Sequence, residues 1–329
     1  MKQKIFPNKL KKGDTIAVIA PSRSMAIISQ DTQRIANKNL EDLGFKLVFG
    51  EHVNEFDRFV SSSIESRVKD LHWAFANPEV KAVLTVIGGY NCNQLLSYID
   101  WDLIKKNPKI FCGYSDITIL NDSFLAQAGL VTYYGPHYST FGQKYKLEYA
   151  IDYFKKCLMS NEPFDLFPSK EWADDQWWLN QENRVTFKNP GYEIINRGEA
   201  QGIIIGGNLG TFTLLQGTEY FPSLKNSILF LEDDVETPKV EFIRRLQSLI
   251  QQPGFDGVKG IVFGRFQHDT HMDLEELVAI VRTIKELNFM PIIANVDFGH
   301  TNPIITFPIG GEVTIKTAGD GIEIKIQKH

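Results

Sequence analysis

The stretch Lys109-Ile110-Phe111-Cys112-Gly113-Tyr114-Ser115-Asp116-Ile117-Thr118 decides the reading of this chain. A short apolar run reaches a glycine, a serine follows, and a helical pattern begins at once. Ile117, Leu120, Phe124 and Ala128 recur at spacings of three and four, and Gly129 stops them. A serine on a sharp strand-to-helix turn projects its hydroxyl, and the free N–H groups of the new helix point toward whatever that hydroxyl touches. This is the layout of a nucleophile elbow, although the G-x-S-x-G form is absent because position 117 is Ile. The competing reading is a serine that merely caps a helix N-terminus.

Outward from this stretch, apolar strand-length runs alternate with helical patterns. Strands are expected over 15–19, 45–49, 80–87, 109–113 and 131–134, with helices over 28–43 and from the Ser62/Glu65 capping-box pair onward. Such alternation predicts an α/β fold with a parallel sheet covered by helices, and ligands in such sheets sit at the carboxyl ends of strands. Those ends carry Pro21-Ser22, Gly88-Gly89-Tyr90 and Ser115-Asp116, which should meet in one crevice. From Glu162 to Arg197 no sustained period exists, and three of the five tryptophans, Trp172, Trp177 and Trp178, fall there. They either anchor a loop or form a lid whose faces stack on a planar ligand. A second alternating region begins at Gln201, and the tail from Ile304 to Ile326 reads as an antiparallel ending.

Composition narrows the function classes. The chain has 329 residues, 43% apolar, long enough for two domains. Its net charge of −5, with both signs interspersed, argues against nucleic acid as a partner. The three cysteines lack metal-ligand spacing and fit a reducing compartment, and no run reaches membrane-span length, so a cytoplasmic enzyme without membrane contact is expected. Gly88-Gly89 lacks a dinucleotide fingerprint, which weighs against a nucleotide-dependent oxidoreductase, and its bare amides could hold an oxyanion. His268-Asp269-Thr270-His271-Met272-Asp273 reads as a polar loop entering a helix rather than a metal site. His300 stands just past a strand, and Glu232 heads the acidic run Glu232-Asp233-Asp234 at another strand's end. A serine nucleophile needs a base, and the base needs a carboxylate to fix its tautomer. Ser115, His300 and Glu232 would supply that set across two domains.

In this order, Ala20-Pro21-Ser22, Ile87-Gly88-Gly89-Tyr90-Asn91, Gly113-Tyr114-Ser115-Asp116, Tyr134-Gly135-Pro136, Gly206-Gly207-Asn208-Leu209, Leu229-Phe230-Leu231-Glu232-Asp233 and Asn295 to Thr301 resemble the LD-carboxypeptidases, serine peptidases of muropeptide recycling. The resemblance implies a Ser–Glu–His triad on Ser115, Glu232 and His300, and an oxyanion hole at the N–H groups of Gly88 and Asp116. It implies no metal or cofactor, and a homodimer. It further implies a flavodoxin-like parallel-sheet N-terminal domain (1–160), a linker with the Trp-rich loop (161–198) and a smaller mixed β/α C-terminal domain (199–329). Gly89 and Asn208 are expected at the substrate. The tryptophan loop is similar to that of the family's microcin C self-immunity branch, which implies an acidic aminoacyl nucleotide as substrate, with Trp177 or Trp178 stacking on it. The alternatives are a murein tetrapeptide substrate and a catalytically silent ligand-binding protein. Arg67 and Arg265 are candidates for holding a substrate carboxylate, and each reads equally well as a structural ion-pair partner.

Overall fold

The computed structural model describes residues 3–319 and 321–329. In the first half the strands are β1 (Thr15–Ile19), β2 (Lys46–Phe49), β3 (Val80–Thr85), β4 (Ile110–Gly113) and β5 (Thr132–Tyr134). They alternate with α1 (Gln30–Asp42), α2 (Ile64–Ala76), α3 (Trp101–Lys106), α4 (Thr118–Ala128) and α5 (Glu148–Met159). The middle holds the short strands β6 (Phe164–Asp165), β7 (Glu171–Trp172) and β8 (Phe187–Lys188), then β9 (Glu193–Asn196). The second half runs through β10 (Gly198–Asn208), α6 (Leu209–Thr213), β11 (Ser227–Glu232), α7 (Lys239–Ile250), β12 (Val258–Gly264), α8 (Leu274–Thr283) and β13 (Ile292–Val296). It ends with β14 (Phe307–Ile309), β15 (Glu312–Ala318) and β16 (Gly321–Lys328).

The first sheet has the order β14-β5-β4-β3-β1-β2, with β1 to β5 all parallel. The run 2-1-3-4-5 is the flavodoxin-like order, and its topological switch lies between β1 and β3. Local chemistry fixes the covering helices. Ser29 caps α1 by accepting the N–H of Thr32, and Thr32, Ala36 and Leu40 bury one stripe. For α2 the cap is Ser63, which accepts from Ser66, one residue later than the Ser62/Glu65 spacing suggested. Gly129 ends α4 at φ +69°, a conformation that favours glycine.

The second sheet has the order β6-β16-β15-β10-β11-β12-β13-β9. Its centre, β10 to β13, is parallel, and β9, β15, β16 and β6 pair antiparallel around it. The architecture is therefore mixed α/β with two sheets, as the alternation predicted. Two features have no counterpart in the sequence reading. The stretch 161–198 supplies β6 and β9 to the second sheet, and β14 leaves the second half to pair antiparallel with β5 of the first. This crossing places the loop before β14, which carries His300, against the carboxyl end of β5.

Candidate active site

β4 ends at Gly113, and Ser115 opens a single 3-10 turn that runs into α4. Ser115 has φ +62°, a left-handed conformation costly for a residue with a Cβ, and its side chain caps no helix. The strain and the absence of a capping bond favour the elbow over the cap.

The three strand ends do converge. The carboxylate of Asp116, one residue past Ser115, accepts from Ser22 Oγ at 2.6 Å and from the N–H groups of Asn91 and Cys92, each at 2.9 Å. It ties the turns after β1 and β3 to the elbow. Gly88 packs directly on the serine. A Cβ at Gly88 would lie 2.8 Å from Ser115 Cβ, 2.9 Å from Oγ and 3.5 Å from the amide nitrogen of Asp116. The Gly88 carbonyl accepts from Arg23 N at 3.3 Å and Nε at 3.2 Å, which fixes the peptide plane leading to Gly89.

The second half delivers two more side chains to Ser115. Glu232 is the last residue of β11, in register with Asn208 at the end of β10. His300 follows β13 through Asp297-Phe298-Gly299. Gly299 has φ +105°, and a Cβ there would lie 2.7 Å from Glu232 Oε2, so the loop approaches the carboxylate only because this position is glycine. His300 Nε2 is 3.0 Å from Ser115 Oγ, and Nδ1 is 2.8 Å from Glu232 Oε2. The other carboxylate oxygen, Oε1, accepts from the buried Tyr134 hydroxyl at 2.7 Å. The Glu232 side chain is 1% exposed and that of His300 is 19% exposed. Burial pulls the His300 pKa down, but the charge and hydrogen bond of Glu232, with Asp234 and Asp233, outweigh it and raise it to about 9. Burial and the charge of Glu232 hold the Tyr134 hydroxyl protonated, well above its ordinary range, which keeps it a donor.

Behind His300, Tyr114 meets its ring edge-on at 5.4 Å and stacks on His137 at 4.2 Å. His137 bonds Thr85 Oγ1 at 2.8 Å, and burial, then the charges of His300 and Arg23, push its pKa well below the ordinary value. It is a neutral wall.

The remaining sequence candidates fall in different places. Gly89 lies beside Ser22 and Arg23 at the crevice edge. Asn208 is buried, caps α6 by accepting from Thr211 at 2.9 Å, and donates to Asp233 at 3.2 Å, so its side chain serves the protein's own bonds. Trp177 and Trp178 line a cavity of 410 Å³ with Arg23, Ile27, Ile28, Thr32, Ile87 and Ser139. Trp177 is 8% exposed and Trp178 is 56% exposed. The excursion bearing them is tied down close to His300, because Ala173 and Asn302 exchange backbone hydrogen bonds of 2.7 Å in both directions. Arg67 is bonded to Pro21 O, Asn91 O and Gln94 Oε1, and Arg265 to Asn189, Asn295 O and Asp297. Both are bonded to groups of the protein itself. Asp273 caps α8, as a loop-into-helix reading of 268–273 requires.

Sequence reasoning missed Tyr134, Tyr114, His137, Asp234 and the carboxylate of Asp116. Tyr134 stands at the carboxyl end of β5, a position that could have flagged it.

Two family models match the chain. Residues 16–135 match the LD-carboxypeptidase N-terminal domain, and residues 201–315 match the LD-carboxypeptidase C-terminal domain. The chain belongs to the LD-carboxypeptidase family. A solved MccF-like protein from Bacillus anthracis str. Ames is 53% identical to this family member, with a TM-score of 0.97 over 99% of this chain and 100% of that one. The microcin C7 self-immunity protein MccF of Escherichia coli is 30% identical over 97% of this chain and 95% of its own length. MccF has been solved with aspartyl sulfamoyl adenosine, at a TM-score of 0.89, 28% identity and 99% coverage of both chains. A Bacillus subtilis (strain 168) relative named as a probable murein peptide carboxypeptidase is also 30% identical, over 95% of this chain and 92% of its own. Membership in this LD-carboxypeptidase family supports a serine peptidase. Among the described residues no helix is long and apolar enough to cross a membrane.

Proposed function

We propose that the protein is a serine amide hydrolase acting on an acidic aminoacyl nucleotide. The observation that carries the chemistry is the hydrogen-bonded chain Ser115–His300–Glu232, at 3.0 Å and 2.8 Å, on a serine in strained backbone. Ser115 Oγ attacks the carbonyl carbon and His300 Nε2 takes its proton. Glu232 holds Nδ1–H, keeps the useful tautomer and stabilises the imidazolium, while Tyr134 fixes the carboxylate from behind. The N–H groups of Gly88 and Asp116 receive the oxyanion, a contribution of roughly 3–4 kcal/mol per donor. His300 then returns the proton to the leaving nitrogen, and water repeats the sequence on the acyl-enzyme.

Two observations support the nucleotide part of the substrate. The cavity beside Ile87 and Arg23 presents two indoles, one of them largely exposed, and indole faces suit a nucleobase. MccF, similar over nearly the whole chain, binds an aminoacyl sulfamoyl nucleoside. Incubation with aspartyl sulfamoyl adenosine should release aspartate, and Ser115→Ala should abolish release while the melting temperature stays near native. Near-native turnover by Ser115→Ala would remove the serine mechanism. Release of the terminal D-alanine from a murein tetrapeptide, with the aminoacyl nucleoside left intact, would move the substrate to the murein class.

A further inference from the structure

Asp234 lies two residues past Glu232, on the turn after β11, and 19% of its side chain is exposed. Its Oδ2 is 3.4 Å from His300 Nε2, the same nitrogen that Ser115 Oγ approaches at 3.0 Å. Its Oδ1 accepts from the N–H of Glu236 at 2.8 Å, which holds the carboxylate in place with Oδ2 toward the imidazole. A carboxylate is a poor neighbour for a base that must accept a proton from serine. It stabilises the protonated imidazole.

The other groups around His300 do not offset this. Glu232 ends β11 and Asp233 follows it, Tyr114 and Ser115 come from the elbow, and the neutral His137 stands behind Tyr114. The Tyr134 hydroxyl donates to Glu232, and Arg23 acts on Tyr114 and His137 from the turn after β1. The net bias at Nε2 is acidic, in line with the raised pKa of His300.

We propose that Asp234 receives the α-ammonium group of an aminoacyl substrate, and that until this cation arrives the Asp234 carboxylate keeps His300 protonated and so opposes its action as base on Ser115. The proposal rests on the hydrolase reading above. The α-nitrogen of an aminoacyl group is two bonds from the carbonyl carbon under attack. With that carbon in near-attack contact with Oγ, about 3–3.5 Å away, the nitrogen falls within reach of Oδ2. The ammonium replaces the imidazolium as the partner of Asp234. His300 releases its proton to solvent and becomes the neutral base that takes the proton of Ser115. A peptide whose acyl-side α-nitrogen is acylated carries no charge there, so it leaves Asp234 paired with His300. The same residue thus favours free aminoacyl conjugates over murein-type peptides.

The test compares aspartyl sulfamoyl adenosine with its Nα-acetyl analogue, on the native enzyme and on Asp234→Asn, as full pH profiles of kcat and kcat/KM. Asparagine keeps an oxygen for the Glu236 N–H, and thermal melting checks the fold. The native enzyme should prefer the free amine by about 10- to 100-fold in kcat/KM, the scale of one charge-assisted hydrogen bond. Its acid limb in kcat should lie below that in kcat/KM for the free amine only. In Asp234→Asn the preference should fall to within about threefold through KM, and the kcat/KM limb should move to lower pH. An unchanged preference ratio, or an unmoved limb, overturns the role of Asp234 while leaving the hydrolase reading intact. Should Asp234→Asn fail to fold, coincident limbs for the free amine in the native enzyme overturn it equally. If the native enzyme hydrolyses neither compound, the aminoacyl-nucleotide reading itself fails.

Discussion

Gly88→Ala is the sharpest test of how the elbow is built. The added Cβ would lie 2.8 Å from Ser115 Cβ and 2.9 Å from Oγ. Carbon atoms in contact sit about 3.5–4.0 Å apart, so roughly 1 Å must be found. Gly88 is not among the positive-φ glycines, so the cost is steric rather than conformational. The elbow cannot give easily, because Asp116 is pinned by three hydrogen bonds and Gly88 by two from Arg23. The soft coordinate is the Ser115 side chain, which rotates or shifts away from His300. A misplacement of about 1 Å costs on the order of 10²-fold in rate, equivalent to ~2.7 kcal/mol. Overpacking adds about 1–3 kcal/mol of lost stability. The assay is kcat on an aminoacyl sulfamoyl nucleoside together with thermal melting, with the melting alone repeated in a Ser115→Gly background. Glycine at 115 tolerates the positive φ and removes both clashing atoms, so Gly88→Ala should there cost almost no stability. A kcat within fivefold of native, or the same melting loss in both backgrounds, would refute the argument.

Three further outcomes follow from the same geometry. His300 must be neutral to act as a base, and its pKa is raised to about 9, so activity in the free enzyme is gained, not lost, as pH rises. Labelling of Ser115 by a small fluorophosphonate should therefore accelerate about tenfold per pH unit from 6 to 8. A plateau already reached at pH 7 would contradict it. Trp178→Ala removes a largely exposed face, so it should raise KM for the nucleoside conjugate by about 5- to 100-fold, the worth of one stacked base, with melting unchanged. An unaltered KM would take this indole out of the site. Asp297→Ala removes the carboxylate paired with the buried Arg265 and frees Ser169 and Asn189, which hold the tryptophan excursion. Urea unfolding should report a loss of about 3–5 kcal/mol, and a loss under 1 kcal/mol would mean that this network is dispensable.

The sequence by itself determined much of the parts list. Short continuous apolar runs alternating with stretches of period 3.6 marked β1 to β5 and β10 to β13, because strands of a helix-covered parallel sheet are buried on both faces whereas the helices bury one stripe. Gly113-Tyr114-Ser115 marked the elbow, and Glu232 and His300 were recognisable as a carboxylate and an imidazole placed just after strands. Boundaries moved by a residue or two where capping chooses among adjacent serines, as at Ser63. What only the tertiary structure decided lies between segments distant in sequence. Ser115 and His300 are separated by 185 residues and Glu232 and His300 by 68, and no local pattern encodes which strand ends will face each other. That meeting depends on β14 crossing to pair with β5 and on Gly299 letting its loop touch Glu232. The same holds for Tyr134 and Asp234, whose roles come from the atoms packed against them. Periodicity reports which face of an element is buried, whereas the docking of two sheets decides what that face, or the turn beyond it, is buried against.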